Sequence, residues 1–166
     1  MDRNYWLISS GKDGELWPTF WNEKVVALGY PALGDLRLYP EREDLVEGYM
    51  RVYPDATPGQ QRNNVTQLWS FYQRVKPGEL AFVRSYGAII GIGEVQDGYD
   101  YIHETDPLRE RLYSEYFDDY YPHIHRVRWL SLWGGIKQST AFTRLTLMEQ
   151  EHPTMLLQRS AKNRAG

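Results

Sequence analysis

Two histidines in the last third of the chain are the side chains best suited by type and spacing to bind a metal ion. His123 and His125 stand two residues apart, so on a β-strand they would share a face and could chelate zinc with Asp118 or Asp119. Histidines beside strands more often meet solvent or a hydrogen-bond partner. We therefore predict no metal site and no cofactor.

Motifs for other kinds of catalysis are missing from the sequence. A phosphate-binding loop needs a glycine-rich turn followed by Lys and Ser or Thr, whereas Gly91 and Gly93 lie in a predicted strand. A nuclease centre of the Glu-x-Lys type would need a lysine two residues after Glu94, where the chain has Gln96. The serines have no nucleophile elbow, and the chain contains no cysteine. The sequence thus predicts a binding domain rather than an enzyme.

Aromatic side chains are the remaining group that could carry a function, because they stack on nucleobases. The chain has 6 Trp and 13 Tyr. Aromatic residues on loops cannot all belong to the core, so Tyr86, Tyr99 and Tyr101 are candidate binding residues. We expect Trp17 at the mouth of a pocket and Trp21 in the core. The net charge of −3 argues against binding that neutralises many phosphates, so any nucleic-acid contact must be local.

The predicted elements follow a mixed α+β order rather than a regular βαβ alternation. Apolar patterning, turn residues and capping signals predict strands at 4–10, 24–29, 80–84, 88–95 and 123–130, and helices at 16–21, from 40 to 53, from 64 to 75 and from 139–140 onwards. Residues 99–121 are predicted as a loop with a short helix at 107–116. Five tyrosines and phenylalanines there should cover the barrel: Tyr113, Tyr116, Phe117, Tyr120 and Tyr121.

The composition predicts a single domain over residues 1–158 with a flexible tail at 159–166. A hydrophobic content of 42% suits one compact core, and Gly91 and Gly93 inside a strand suggest the sharply bent corner of a small barrel. No apolar run approaches the ~20 residues that span a bilayer, and the first residues do not form a signal peptide. We expect a cytoplasmic protein without membrane contact.

Several short motifs occur in the order typical of EVE-like domains. They are residues 5–11 (YWLISSG), 25–30 (VVALGY), 33–36 (LGDL), 75–80 (VKPGEL) and 90–95 (IGIGEV), followed by 125–130 (HRVRWL), which resembles an R-x-V-x-W strand. The chain is most similar to the N-terminal modules of Mrr-type and McrB-type restriction proteins. This resemblance covers residues 4–150 and implies a PUA-like curved β-barrel flanked by helices, related to YTH and ASCH domains.

The resemblance implies recognition of a modified base that is flipped into an aromatic pocket, and methylation is the expected modification. Ser9 and Ser10 match the place of a Lys-Ser pair in YTH domains, with the lysine replaced, and Tyr30 falls near the first cage aromatic. The full set of expected pocket residues is Ser9, Ser10, Trp17, Tyr30, Trp69, Ser85, Tyr86, Tyr99 and Tyr101. The expected phosphate contacts are Lys12, Arg62, Arg74 and Arg84.

The expected partner is nucleic acid carrying a modified base, with DNA favoured over RNA. A nuclease or AAA+ NTPase on another segment or chain would complete a restriction system. Two alternatives stay open. One is a protein-interaction module that uses residues 99–121 as its interface, since tyrosine is enriched in binding hot spots. The other is a sensor of small nucleosides that uses the same pocket.

Overall fold

The fold is α+β, with a curled half-barrel of mixed strands flanked by helices. The computed structural model describes residues 4–85 and 88–130. Its strands are β1 (Tyr5–Ser9), β2 (Val25–Leu28), β3 (Leu80–Ser85), β4 (Ala88–Val95), β5 (Asp100–Tyr101), β6 (Tyr113–Ser114), β7 (Asp119–Tyr120) and β8 (His123–Trp129). Its helices are α1 (Trp17–Glu23), α2 (Arg42–Val52), α3 (Pro58–Gln73) and α4 (Pro107–Arg111).

The main sheet is curled because β8 pairs with two different strands along its length. The strand order is β1-β3-β4-β8-β2, with β5 also paired to β8 and β6 paired only to β7. The first half of β8 runs antiparallel to β2, with His123 opposite Leu28, and its end runs antiparallel to β4, with Trp129 opposite Gly93. Among the described strands, β1 and β3 are the one pair that runs parallel. Because β8 pairs with both β2 and β4, the strands form one curved sheet.

Both faces of the sheet are apolar. Trp6 and Ile8 of β1 point into the main core with the helices, while Tyr5 and Leu7 alternate to the opposite face. There they join Phe82 and other residues in a second cluster whose buried members are at most 3% exposed. The strands β1, β2 and the first part of β3 therefore read as continuous apolar runs, which the sequence patterning predicts for β2, whereas β8 exposes Arg126 and Arg128.

The predicted start of α3 was wrong. We expected Asn64 to cap it, but the helix begins at Pro58 with a capping box between Thr57 and Gln60. Proline is well tolerated at a first helical position because the N–H that it lacks would have no partner there. Asn64 is instead buried, and its side-chain amide donates to the Tyr49 hydroxyl at 2.8 Å.

Residues 99–121 are more regular than the predicted loop. The predicted helix is confirmed but ends at Arg111, and a small hairpin of β6 and β7 follows. Tyr121 is 1% exposed, whereas Tyr116 is 50% exposed. The stretch therefore covers part of the core and leaves one ring in solvent. The predicted last helix and the tail lie outside the described residues. Every helix within those residues is too short or too polar to cross a bilayer.

His125 ties β8 to the end of α3. Its Nε2 lies 2.6 Å from the carbonyl oxygen of Phe71, and its Nδ1 lies 3.1 Å from the carbonyl oxygen of Asp97. Burial lowers the pKa of His125. The two carbonyl oxygens favour the protonated ring, because only that form has an N–H for each of them, and they only partly oppose the shift. The folded state thus favours the neutral ring.

We predict that the protein loses stability as the pH falls below about 6.5, the ordinary pKa of an unfolded histidine. Because the pKa is lowered on folding, the stabilisation is complete above that value and is lost toward the folded-state pKa. The urea midpoint should fall between pH 7 and pH 5. It should fall less in His125→Gln, which cannot titrate. An equal fall in both proteins would contradict the assignment to His125.

Candidate functional site

Three tryptophans meet at one end of the curled sheet. Trp17 and Trp21 come from α1, and Trp129 comes from the end of β8. The ring centroids of Trp17 and Trp129 are 5.0 Å apart in an edge-to-face arrangement. Trp21 stacks on Trp129 with the planes inclined by 22° and the centroids 5.9 Å apart. These three rings form the tryptophan cluster.

The local sequence explains why the rings converge. Trp17 and Trp21 are four residues apart, so they lie on the same face of α1. The helix ends at Glu23, and the next residue, Lys24, adopts a left-handed conformation with φ of 55° and directs the chain into β2. The Trp129 indole N–H donates to the Phe20 carbonyl at 3.2 Å, which fastens β8 to the same helix. The cluster is therefore held from both sides.

Two glycines of β4 make room for the indoles. A Cβ atom on Gly91 would lie 2.2 Å from the Trp17 ring, and one on Gly93 would lie 3.1 Å from the Trp129 ring. Gly91 also pairs with Val83, next to a shift of register between β3 and β4. The two glycines thus allow the indole rings of Trp17 and Trp129 to lie close to the strand. The sequence suggested a bend at these glycines and gave no sign of the contact with the indoles.

An open groove of about 630 Å³ runs beside the cluster. Its described lining is Trp21, Lys24, Gln96, Val127, Arg128, Trp129 and Leu130. Trp21 is 48% exposed, which corrects the expectation that it packs in the core. The Arg128 guanidinium lies 3.3 Å from the Glu94 carboxylate. The groove combines a flat aromatic wall with two cations and an amide, a set suited to holding a planar ligand with a nearby negative charge.

Three of the predicted pocket residues lie together at the ends of β1 and β3. Ser10 is fully buried, and its hydroxyl donates to the Arg84 carbonyl at 3.2 Å. Ser9 donates to the carbonyl of Gly11. A Cβ atom on Gly14 would lie 2.3 Å from the Ser85 hydroxyl oxygen and 3.5 Å from that of Ser10, so these two serines flank the same turn. Leu16, which precedes Trp17, donates its backbone N–H to the carbonyl of Ser10.

The predicted tyrosines form a second, separate group around His123. The Leu36 backbone N–H donates to the Tyr99 hydroxyl oxygen at 3.1 Å, and that hydroxyl lies 2.7 Å from His123 Nδ1. His123 Nε2 faces the Tyr30 carbonyl at 3.2 Å, so in the neutral ring the proton is on Nε2 and Tyr99 donates to Nδ1. Burial raises the pKa of Tyr99, which keeps this hydroxyl protonated. The Tyr101 ring is also in contact with His123.

These contacts engage the tyrosine group with neighbouring residues of the chain. The Tyr30 side chain is 2% exposed and packs against Tyr49 and Tyr53 in the core. The ring nitrogens of both His123 and His125 face protein partners rather than each other. Within the described residues, no group of three or more His, Asp or Glu side chains is arranged to hold a metal ion.

The other predicted positions are scattered. Trp69 is half-buried on α3 and contacts Tyr72 edge to face, and Tyr86 lies outside the described residues. The four basic residues predicted to contact phosphate do not converge. Lys12 lies over the Tyr116 ring, Arg74 lies over the Trp6 ring, Arg84 is half-buried at the end of β3, and Arg62 is exposed on α3.

The sequence does not predict the main lining of the groove. It places Trp129 and Arg128 only in a strand motif, and Lys24 only at the start of β2. The spacing of Trp17 and Trp21 was the available signal, because it places two large rings on one face of a helix of only 7 residues.

We predict that Gly91→Ala disturbs the tryptophan cluster. The added methyl group would overlap the Trp17 ring, so the indole must move, at a cost of about 1–3 kcal/mol in unfolding free energy. The emission maximum of tryptophan fluorescence should shift as well. Gly98→Ala is the matched control, because nothing lies within 4 Å of the position of its Cβ atom. Equal stability and unchanged fluorescence in both variants would refute the close packing.

Comparison with known proteins gives a family and no function. Residues 6–150 match a family described as a domain of unknown function, DUF8426. No curated protein and no solved structure matches the chain. The matched range contains the whole tryptophan cluster and every described element except the first residue of β1. This chain is therefore a member of the DUF8426 family.

Proposed function

We propose that this protein is a non-catalytic reader that holds a modified nucleobase of a nucleic acid in the groove beside the tryptophan cluster. The observation that carries the proposal is the stack of the exposed Trp21 on Trp129 in a groove that Lys24 and Arg128 also line. The curled half-barrel with flanking helices is compatible with the PUA-like architecture that the sequence motifs suggest. We infer that the domain uses that architecture to present the groove.

The exposed indole is the strongest reason to place a ligand here. A tryptophan side chain carries a large apolar surface, and nearly half of that of Trp21 faces solvent. A base stacked on an aromatic ring contributes about 1–3 kcal/mol, and any base has a face that can stack. Trp17 and Trp129 pack against the ring of Trp21, so the Trp21 side chain would lose little conformational entropy on binding.

Discrimination of a modification needs more than stacking. Flipping a base out of a duplex costs a few kcal/mol, and burying one methyl-sized group returns only ~0.8 kcal/mol. Polar side chains that line the groove must therefore form hydrogen bonds with the edge of the base. Gln96 is suited to this, since its amide nitrogen already donates to the Glu94 carbonyl at 3.0 Å, which leaves the amide oxygen to accept from an exocyclic amino group.

The charge of the chain limits how it holds the nucleic-acid backbone. The net charge is −3, and the described lining of the groove offers two cations, Lys24 and Arg128, of which Arg128 already pairs with Glu94. Two phosphate contacts on a single strand correspond to a slope of about −1.4 in log affinity against log salt concentration. We propose that firm hold on DNA comes from an attached partner, such as a nuclease or AAA+ NTPase on another segment or chain.

We predict that Trp21→Ala weakens binding of a single-stranded oligonucleotide that carries the recognised base by about 5- to 150-fold, the equivalent of one lost stacking contact. Fluorescence anisotropy measures the affinity, and circular dichroism checks that the variant is folded. Tyr116→Ala is the control, because Tyr116 is an equally exposed aromatic residue outside the groove. A loss of the same size in both variants, or in neither, would overturn the placement of the base.

We further predict a preference for modified over unmodified duplex DNA. The titration compares duplexes that carry N6-methyladenine, 5-methylcytosine or larger cytosine derivatives with the same sequence unmodified. Equal or undetectable affinity for every mark would contradict the reader. Thermal shift with free modified nucleosides distinguishes the remaining case: stabilisation by nucleosides without binding of any strand would indicate a small-molecule sensor.

A further inference from the structure

A second concave feature lies between α2 and α3, apart from the lining of the tryptophan groove. The hollow has a volume of about 300 Å³, and its described lining is Arg42, Val46, Pro58, Gln61, Arg62 and Val65. The two valines and the proline provide an apolar floor, and the two arginines and the glutamine provide polar groups. No carboxylate is among these described lining residues.

A short chain of hydrogen bonds positions one of the arginines. Arg42 Nη2 donates to the Thr66 hydroxyl oxygen at 3.1 Å, and that hydroxyl donates to the Arg62 carbonyl at 2.7 Å. Only one of the five N–H donors of the Arg42 guanidinium is used in this contact. The side chain is thus oriented while most of its donors stay available.

The arginines of this hollow lack the carboxylate partner that half of the other arginines in the described part of the chain have. Arg37, Arg111, Arg126 and Arg128 each lie within 4.0 Å of a carboxylate. Neither Arg42 nor Arg62 has such a partner among residues 4–85 and 88–130. In a chain with a net charge of −3, two guanidinium groups without carboxylates in one hollow form a local positive centre.

Both helices contribute residues of their first turns to the hollow. Arg42 is the first residue of α2, and Pro58 and Gln61 belong to the first turn of α3, which is 16 residues long. The N-terminal charge of α2 is already offset by Glu43 and by the capping box of Glu41 and Asp44, so the arginine side chains carry the positive charge of the hollow. Thr57 and Gln60 already cap the backbone of α3, so the direct donors to a ligand would be side chains.

We propose that Arg42 and Arg62 form a binding site for a phosphate group. Planar guanidinium groups donate pairs of parallel hydrogen bonds to phosphate oxygens, and an apolar floor strengthens such contacts by excluding water. The assignment of this phosphate to the backbone of a bound nucleic acid rests on the proposed function. Binding of the phosphate anion itself does not depend on the proposed function. Arg62 was expected to contact phosphate from the sequence, and the structure supplies Arg42 as its partner.

The test is a titration of the folded chain with inorganic phosphate, with chloride adjusted to keep ionic strength constant, observed by NMR of the arginine side-chain N–H groups. The resonances of Arg42 and Arg62 should shift and saturate. Arg62→Gln, at an exposed position, and Arg42→Lys, which keeps the charge but loses the planar fork, should each weaken binding by about 10-fold or more. Arg51→Gln, an exposed position in the last turn of α2, should not. Shifts that never saturate, or equal losses in the Arg51 control, would overturn the site.

A second arm separates this site from the proposed function. A strand of abasic phosphodiester units should bind with dependence on Arg42 and Arg62 and no dependence on Trp21. If binding of a base-bearing strand needs Trp21 but neither arginine, the phosphate site is wrong and the reader stands. If phosphate binds through the arginines while no strand depends on Trp21, the reader is wrong and the phosphate site stands.

Discussion

The close contact of the Trp17 indole with the backbone of Gly91 is the constraint on which the candidate site depends. A side chain at position 91 would occupy the space of the ring, so the strand must carry glycine for α1 to approach it. With Trp17 seated on β4, Trp21 on the same helical face is brought against Trp129 at the end of β8. The aromatic wall of the groove thus follows from one missing Cβ atom.

The same region couples the curvature of the sheet to the groove. β8 leaves β2 and joins β4 within 7 residues, and Trp129 lies at the end of that crossing. Its indole N–H is bonded to α1, so the helix, the two paired strands and the ring are fixed relative to one another. A rigid platform of this kind loses little entropy when a ligand stacks on it, and its selectivity then depends on the polar rim.

Much of the fold could be predicted from the sequence, because apolar periodicity and turn residues locate strands and helices. The start of α3 could not be predicted, because Thr57 with Gln60 and Asn64 with Gln67 are both acceptable capping pairs in the sequence. The structure shows that Thr57 caps the helix and that Asn64 is buried within it, in contact with Tyr49. For the site, periodicity placed Trp17 and Trp21 on one face but could not say that Gly91 would receive the first ring and leave the second in solvent.

The predicted pocket residues show the same limit. Tyr30 follows a strand and precedes a proline, a pattern typical of a surface turn, yet its ring is enclosed by tyrosines of α2 and the following turn. Ser9, Ser10 and Ser85 do lie together, because the ends of two paired parallel strands must be adjacent. Local sequence therefore predicts neighbours within one sheet edge, whereas contacts between a helix and a distant loop need the three-dimensional structure.

NMR of the tryptophan indole N–H groups, during titration with an oligonucleotide that carries the recognised base, would show whether a base stacks in the groove. The chain has 6 tryptophans, so each ring reports separately. We expect saturable shifts that are largest for Trp21, with Trp129 next, while the buried Trp6 stays unchanged. Binding that leaves Trp21 and Trp129 unperturbed, or that shifts only Trp69, would contradict this expectation.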